Sequence, residues 1–156
     1  MSTFRNSKRL HPPVLRRVLL LSVVLSSLQS VMADDTLEAK LYKNPSCGCC
    51  EEYAKYLREY EYEVEVFETS QLEQRKTEFG IPSNLQSCHT MTLDGYVIEG
   101  HVPVSALDKL LSERPDVTGI SLPGMPQGSP GMPGKKREPF VIHEFSDDES
   151  SVYVRD

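Results

Sequence analysis

Asn44 to Cys50 reads NPSCGCC, which places three of the chain's four cysteines within four positions. Three thiols that close cannot all pair with one another. The cluster requires a backbone turn that keeps the sulfurs accessible to one another. It also calls for a use for them: disulfide exchange, a structural bridge, or the capture of a thiophilic metal.

The residues around the cluster supply the turn. TLEAKLY (Thr36 to Tyr42) alternates weakly and leads into Asn-Pro-Ser, as a strand ending in a loop does. From Cys50, CEEYAKYLREY puts Tyr53, Tyr56, Leu57 and Tyr60 at helical spacing, with charges opposite. The cluster is therefore expected at the junction of the first strand and first helix, with Cys50 opening the helix.

The start of the chain bears on the redox state of these thiols. Arg5, Lys8, Arg9, Arg16 and Arg17 form a basic head without acids, followed by VLLLSVVLSSL (Val18 to Leu28), an apolar run short for a bilayer span. Val31-Met32-Ala33 then presents small or apolar residues where a signal peptidase reads, so residues 1–33 are expected to be a cleaved signal peptide. A retained membrane anchor is the alternative. Contact with the membrane is otherwise expected only through this segment, during export. No cysteine stands at the cleavage site to carry lipid.

Cleavage would leave residues 34–156 as one domain with one modest core. The whole chain carries 17 basic and 23 acidic residues; losing the five basic residues of the leader leaves 12 against 23, a formal charge of −11. Such a surface excludes nucleic acid, whose phosphates need neutralising cations. All four cysteines stay with the mature part. Export implies an oxidising compartment, where idle thiols become disulfides unless a metal or partner occupies them.

Further along, YEVEVF (Tyr62 to Phe67) alternates strictly and predicts a half-buried strand. TSQLEQRKTEFG predicts a helix capped by Thr69 or Ser70 and stopped at Gly80. Asp94-Gly95 between two apolar runs predicts a hairpin, because both residues tolerate the positive φ of a tight turn. VPVSALDKLLSERP predicts a helix entered through Pro103 and ended before Pro115. GISLPGMPQGSPGMPG is expected to be irregular but shaped, since each proline restricts the backbone. PFVIHEF, SDDE and SSVYVRD predict a second hairpin. The order strand, helix, strand, helix, hairpin, helix suggests an α/β fold: a thioredoxin-like single domain with ligands at the carboxyl ends of strands.

Cys47 and Cys50 form a C-x-x-C, and a thiolate at a helix N-terminus is stabilised by free amide groups and the helix dipole. That favours thiol–disulfide exchange and metal ligation alike. Cys49 separates them. A dithiol oxidoreductase uses two sulfurs, and a third beside them invites wrong pairing, whereas a soft-metal site gains a donor. Cys88 offers a fourth thiol from the loop before the hairpin, and nothing in the sequence opposes its meeting the other three. Two ordinary disulfides are the plain alternative.

Three clustered sulfurs plus one, with thioethers nearby, suit Cu(I), which prefers soft sulfur. Zinc fits the spacing less well, through a Cys3His set using His89. His89 and His101 both flank the hairpin and are candidates to join the site, against the alternative of turn histidines bonded to backbone. His143 and Met91 are expected to be structural. Met125 and Met132 lie in matched PGMP units of the Pro/Gly loop, where their thioethers could cover or hand over Cu(I) or simply pack the loop.

YKNPSCGCCEEYAKYL, GIPSNLQSCHT, GYVIEGHVPVSAL and LPGMPQGSPGM together resemble the CopG-like proteins of bacterial copper resistance, a family long listed as of unknown function. The likeness runs from about Leu41 to the C-terminus. It implies a thioredoxin-like fold, a periplasmic location and a copper site of cysteines, with a multi-copper thiolate cluster among its forms. The matching residues are Cys47, Cys49, Cys50 and Cys88, then His89 and His101, with Met125 and Met132 on the loop. The roles it implies are copper oxidoreductase, copper carrier or sequestering protein, with a periplasmic carrier or efflux component as partner. A thiol–disulfide oxidoreductase working through Cys47 and Cys50 remains the rival. It lacks the aromatic residue that thioredoxins usually carry just before the motif.

Overall fold

The computed structural model describes residues 37–147 and 149–156; the expected signal peptide lies outside them. Among the described residues no helix is long and apolar enough to cross a membrane. The first half alternates strand and helix: β1 (Glu38–Lys43), α1 (Gly48–Glu59), β2 (Glu63–Glu68) and α2 (Leu72–Glu78). A single 3₁₀ turn, Ser83–Leu85, leads to β3 (His89–Leu93), β4 (Tyr96–Glu99), α3 (Val104–Glu113) and β5 (Gly119–Ser121). The chain closes with β6 (Val141–Ser146) and β7 (Glu149–Arg155).

The strands make one mixed seven-stranded sheet in the order β2-β1-β3-β4-β5-β6-β7. β1 runs parallel to β2 and β4 parallel to β5, while the other neighbours are antiparallel. Side chains at paired positions share a face. Leu41 opposes Met91, Met91 opposes Ile98, and Ile98 opposes Ile120, so four fully buried apolar residues form one rib across four strands. Met91 thus belongs to the core, as expected.

α1 buries Cys50, Tyr53, Ala54 and Leu57, the i, i+3, i+4, i+7 stripe of an amphipathic helix. Tyr60, which shares the apolar spacing, is 54% exposed because the helix has ended by then. The turn Asp94-Gly95 has positive φ at both residues, and Arg114 ends α3 in the left-handed region before Pro115.

Three local expectations are corrected. α1 opens at Gly48, not Cys50, with Cys47 at its N-cap, because the Asn-Pro-Ser turn closes with a bond from the Cys47 amide to the Asn44 carbonyl (3.0 Å). α2 begins after Gln71 rather than at a Thr69 or Ser70 cap; the Thr69 hydroxyl accepts the Gln71 amide just outside the helix. The stretch GISLPGMPQGSPGMPG is irregular only after its first residues, since Gly119–Ser121 forms β5, held between β4 and β6. Tertiary pairing on both sides makes a three-residue strand that local propensity does not announce.

Beyond β5 the Pro/Gly loop returns over the first turn of α1. Gly131 has φ +78, and a side chain there would meet the Tyr53 amide nitrogen at 2.6 Å and the Cys49 carbonyl at 2.8 Å. Gly124 has a similar φ of +70 but open space around it. Gly124→Ala should therefore cost about 1 kcal/mol, the strain of a left-handed residue. Gly131→Ala should cost about 1–3 kcal/mol more through overpacking against helix backbone. Urea unfolding of the two variants checks the difference, and equal costs would refute the close docking of the loop.

Candidate metal centre

The ladder between β1 and β3 places Lys43 opposite His89, so the end of β1 and the start of β3 lie side by side. The NPSCGCC turn leaves β1 at that end, and Cys88 immediately precedes β3. The sulfurs of Cys47, Cys49, Cys50 and Cys88 consequently all lie within 4.8 Å of one another. Cys47 and Cys50 are joined as a disulfide, with Cys49 and Cys88 free. The Cys49 sulfur is 3.6 Å from that of Cys47, and the Cys88 sulfur 3.8 Å from that of Cys50. The expected convergence of four sulfurs occurs, but two of them are in disulfide form and need two electrons before they can act as thiolates.

A second group shares one member with the first. Cys88, His89 and His101 also offer ligand atoms within 4.8 Å of one another. The His101 Nδ1 lies 2.6 Å from the Pro130 carbonyl, which can only accept, so this nitrogen carries the proton. Its other nitrogen, Nε2, then directs a lone pair at the Cys88 sulfur, 2.9 Å away. His89 turns Nδ1 toward the same sulfur at 3.4 Å, and its buried Nε2 has no hydrogen-bond partner. A buried polar atom without a partner is uncommon in a folded protein. Together with a neighbouring imidazole oriented by a backbone carbonyl, it fits the donor set of a metal centre.

The surroundings explain the titration of these groups. Burial pushes the Cys88 thiol up to about 12, and the nearby Cys49 adds to this. Metal-free Cys88 is therefore a protonated thiol at neutral pH. Burial likewise holds the His89 imidazole well below its usual value, aided by the charges of His101 and Lys76, and burial lowers His101 as well. Both rings pack on Tyr53, whose centroid lies 4.7 Å from that of His89 and 5.3 Å from that of His101. The Tyr53 hydroxyl donates to the Val102 carbonyl at 2.8 Å, fixing this platform under the histidines.

Two polar ties hold the ligand-bearing segments. Lys43, almost fully buried, donates to Glu51 at 2.9 Å, Glu68 at 3.1 Å and the Pro45 carbonyl at 3.3 Å, which anchors the NPSCGCC turn. On the other face of the sheet, a buried network of Lys76, Thr90 and Glu99 reaches Ser87, the residue before Cys88. Nothing in the sequence marks Lys43, Tyr53, Lys76 or Glu99 as site residues, although the helical spacing does place Tyr53. One signal of burial was present: Lys76 sits at i+4 from Leu72 and three before Phe79, on the stripe that should face the core.

The Pro/Gly loop that carries Met125 and Met132 touches the centre through its backbone. The Ser87 hydroxyl donates to the Gly124 carbonyl, His101 bonds Pro130, and Gly131 packs on α1. Met125 is 52% exposed and Met132 half-buried. His143 lies on β6 between Ser121 and Val152 and joins neither group, consistent with a structural role.

A site of four sulfurs and two buried imidazoles on a mixed α/β sheet defines the class as proteins with a Cys/His centre able to hold a metal. Residues 85–132 match the family described as a protein of unknown function, DUF411. Two solved structures, both called copper resistance protein copG (form 2 and form 1), are each 32% identical to this chain. The matches cover 78% of it and 98% of theirs, with TM-scores of 0.72 and 0.71. No curated protein matches. The chain belongs to the CopG family of copper resistance proteins.

One consequence of the buried histidines can be measured without metal. Unfolded imidazoles take up protons below about pH 6.5, while the folded ones stay neutral to lower pH. Stability present above pH 6.5 is thus lost as pH falls below it, by at most about 1.4 kcal/mol per pH unit for each imidazole. Urea midpoints should change little between pH 7.5 and 6.5 and fall between pH 6.5 and 5.5, by less in His101→Gln. A flat profile down to pH 5.5 would contradict the buried neutral rings.

Proposed function

We propose that this protein is exported to the periplasm after loss of residues 1–33 and binds Cu(I) there, in copper homeostasis and resistance. The observation that carries the proposal is the meeting of four sulfurs from two distant segments beside a buried, unpartnered imidazole nitrogen. Cys47, Cys49 and Cys50 form a cup at the start of α1 and Cys88 closes it. His89 and His101 complete or tune the site, and the loop of Met125 and Met132 shields it. Soft sulfur donors favour Cu(I) over harder cations, with zinc the weaker fit. The names of the two solved relatives point the same way.

The domain is read as thioredoxin-like, supported by the strand order β2-β1-β3-β4, with α1 linking the parallel pair β1 and β2. β5, β6 and β7 extend that core at one edge. The Cys47–Cys50 pair also gives the site a two-electron capacity. Because copper changes by one electron, closing the disulfide would reduce two Cu(II) ions to Cu(I), and opening it would oxidise two Cu(I). This supports a copper oxidoreductase role, with a periplasmic carrier or efflux component receiving the ion.

The test is anaerobic reconstitution of reduced residues 34–156 with Cu(I), counting metal per chain and measuring affinity against a chromophoric Cu(I) chelator. Each of Cys47→Ser, Cys49→Ser, Cys50→Ser and Cys88→Ser should lower the copper count. Affinity should fall by more than the roughly 10–100-fold that loss of a merely orienting residue costs. Wild-type binding by Cys88→Ser would sink the four-sulfur site.

A second function is favoured by one observation, the existing Cys47–Cys50 disulfide with Cys47 half-exposed and Cys50 buried, as in an exchange pair of attacking and resolving thiols. The copper proposal expects negligible insulin-disulfide reduction. Robust turnover that survives Cys49→Ser would instead establish a thiol–disulfide oxidoreductase.

A further inference from the structure

Behind the sulfur cluster, the sheet buries a full ion pair. Lys76 of α2 and Glu99 at the end of β4 are each 0% exposed and bonded to one another. Their other partners are specific. Glu99 Oε1 accepts the Ser87 amide at 2.5 Å, and Oε2 accepts the Thr90 hydroxyl at 2.6 Å. Lys76 reaches the same Thr90 hydroxyl oxygen at 3.3 Å. Ser87 and Thr90 bracket Cys88 and His89, so one carboxylate grips both ends of the dipeptide that supplies the shared sulfur and the unpartnered imidazole.

From this geometry we infer that Glu99, steadied by Lys76, is the positioning residue of the metal centre, holding Cys88 and His89 in place from the opposite face of the sheet. The inference rests on the copper-binding function proposed above.

Stability alone does not account for the pair. Taking two charges out of water carries a large desolvation cost, and replacing a buried ion pair with apolar groups of similar volume is often neutral or stabilising. The local backbone does account for it. Ser87 precedes β3, and among the described residues its sheet-like pairing is an isolated bridge to Gly124 in the Pro/Gly loop. Cys88 therefore sits between a weakly paired residue and the first rung of a strand. Thr90 faces Glu99 directly across the β3–β4 ladder, so the carboxylate needs no long reach to hold both residues. The arrangement mirrors the opposite wall, where buried Lys43 ties down the segment bearing Cys47, Cys49 and Cys50. Residues that orient metal ligands in this way commonly cost 10–100-fold in affinity when lost.

The test uses the full-length chain with its own leader and two variants. Glu99→Gln keeps the size but puts an NH2 donor in place of one acceptor oxygen, so the Thr90 hydroxyl can no longer donate to it, and it leaves Lys76 uncompensated. The paired change Lys76→Met with Glu99→Leu removes both charges and both ties while preserving apolar volume, so it guards against simple unfolding. Two readouts are taken: Cu(I) affinity and near-ultraviolet thiolate-to-copper absorption in reduced protein, and the alkylation rate of Cys88 in metal-free protein with Cys47–Cys50 closed.

The paired variant is expected to fold with an unfolding midpoint at or above wild type. Its Cu(I) affinity should be roughly 10–100-fold weaker, its absorption band altered, and Cys88 alkylation at least about tenfold faster, since a freed segment exposes its thiol. Wild-type affinity or an unchanged Cys88 rate in the folded paired variant would overturn the inference. Failure of the wild-type protein to take up Cu(I) would overturn the copper proposal instead, and the metal-free Cys88 rate would still decide whether Glu99 positions this segment.

Discussion

Lys43 stands opposite His89 in the antiparallel ladder of β1 and β3, and that single register brings the centre together. A strand that ends where its neighbour begins delivers the residues after the one beside those before the other. Cys47 lies four positions beyond Lys43, and Cys88 one position before His89. Shifting the pairing by one residue would send His89 to the opposite face of the sheet, away from Tyr53 and His101. The apolar rib of Leu41, Met91, Ile98 and Ile120 resists such a slip, because the same slip would expose all the core residues of a strand at once.

The two faces of the sheet have divided the work. One face packs α1 against β1 and β3, with Tyr53 as a rigid floor under two neutral imidazoles. The other carries Lys76, Thr90 and Glu99, a fully buried group whose members bond to one another. The Pro/Gly loop then closes the open side through three backbone contacts at Gly124, Pro130 and Gly131. The centre is thus enclosed by a floor, a rear anchor and a strap, each contributed by a different part of the chain. Cys88 feels all three, and its thiol is the common member of the sulfur group and the imidazole group.

Much of this was legible before any coordinates. NPSCGCC announced the turn and its chemistry, Asp94-Gly95 announced the hairpin, and the tyrosine spacing announced α1. Local rules misplaced the start of α1 by two residues, since an N-cap is chosen by where the preceding turn closes. They also passed over β5, whose three residues are a strand only because β4 and β6 lie on either side. The spacing of Lys76 from Leu72 and Phe79 hints at the core, but nothing local links it to Glu99, and only burial reveals that each is the other's partner.

A sulfur cluster at a strand–helix junction and an α/β order of elements follow from the order of amino acids alone. Turn chemistry and hydrophobic period act over a few residues, so a few residues suffice to read them. That Cys88 joins the cluster, which nitrogen of His101 faces it, and what holds the two together from behind emerge from the folded chain. Those outcomes depend on strand register and on burial, which are set by every element packing at once.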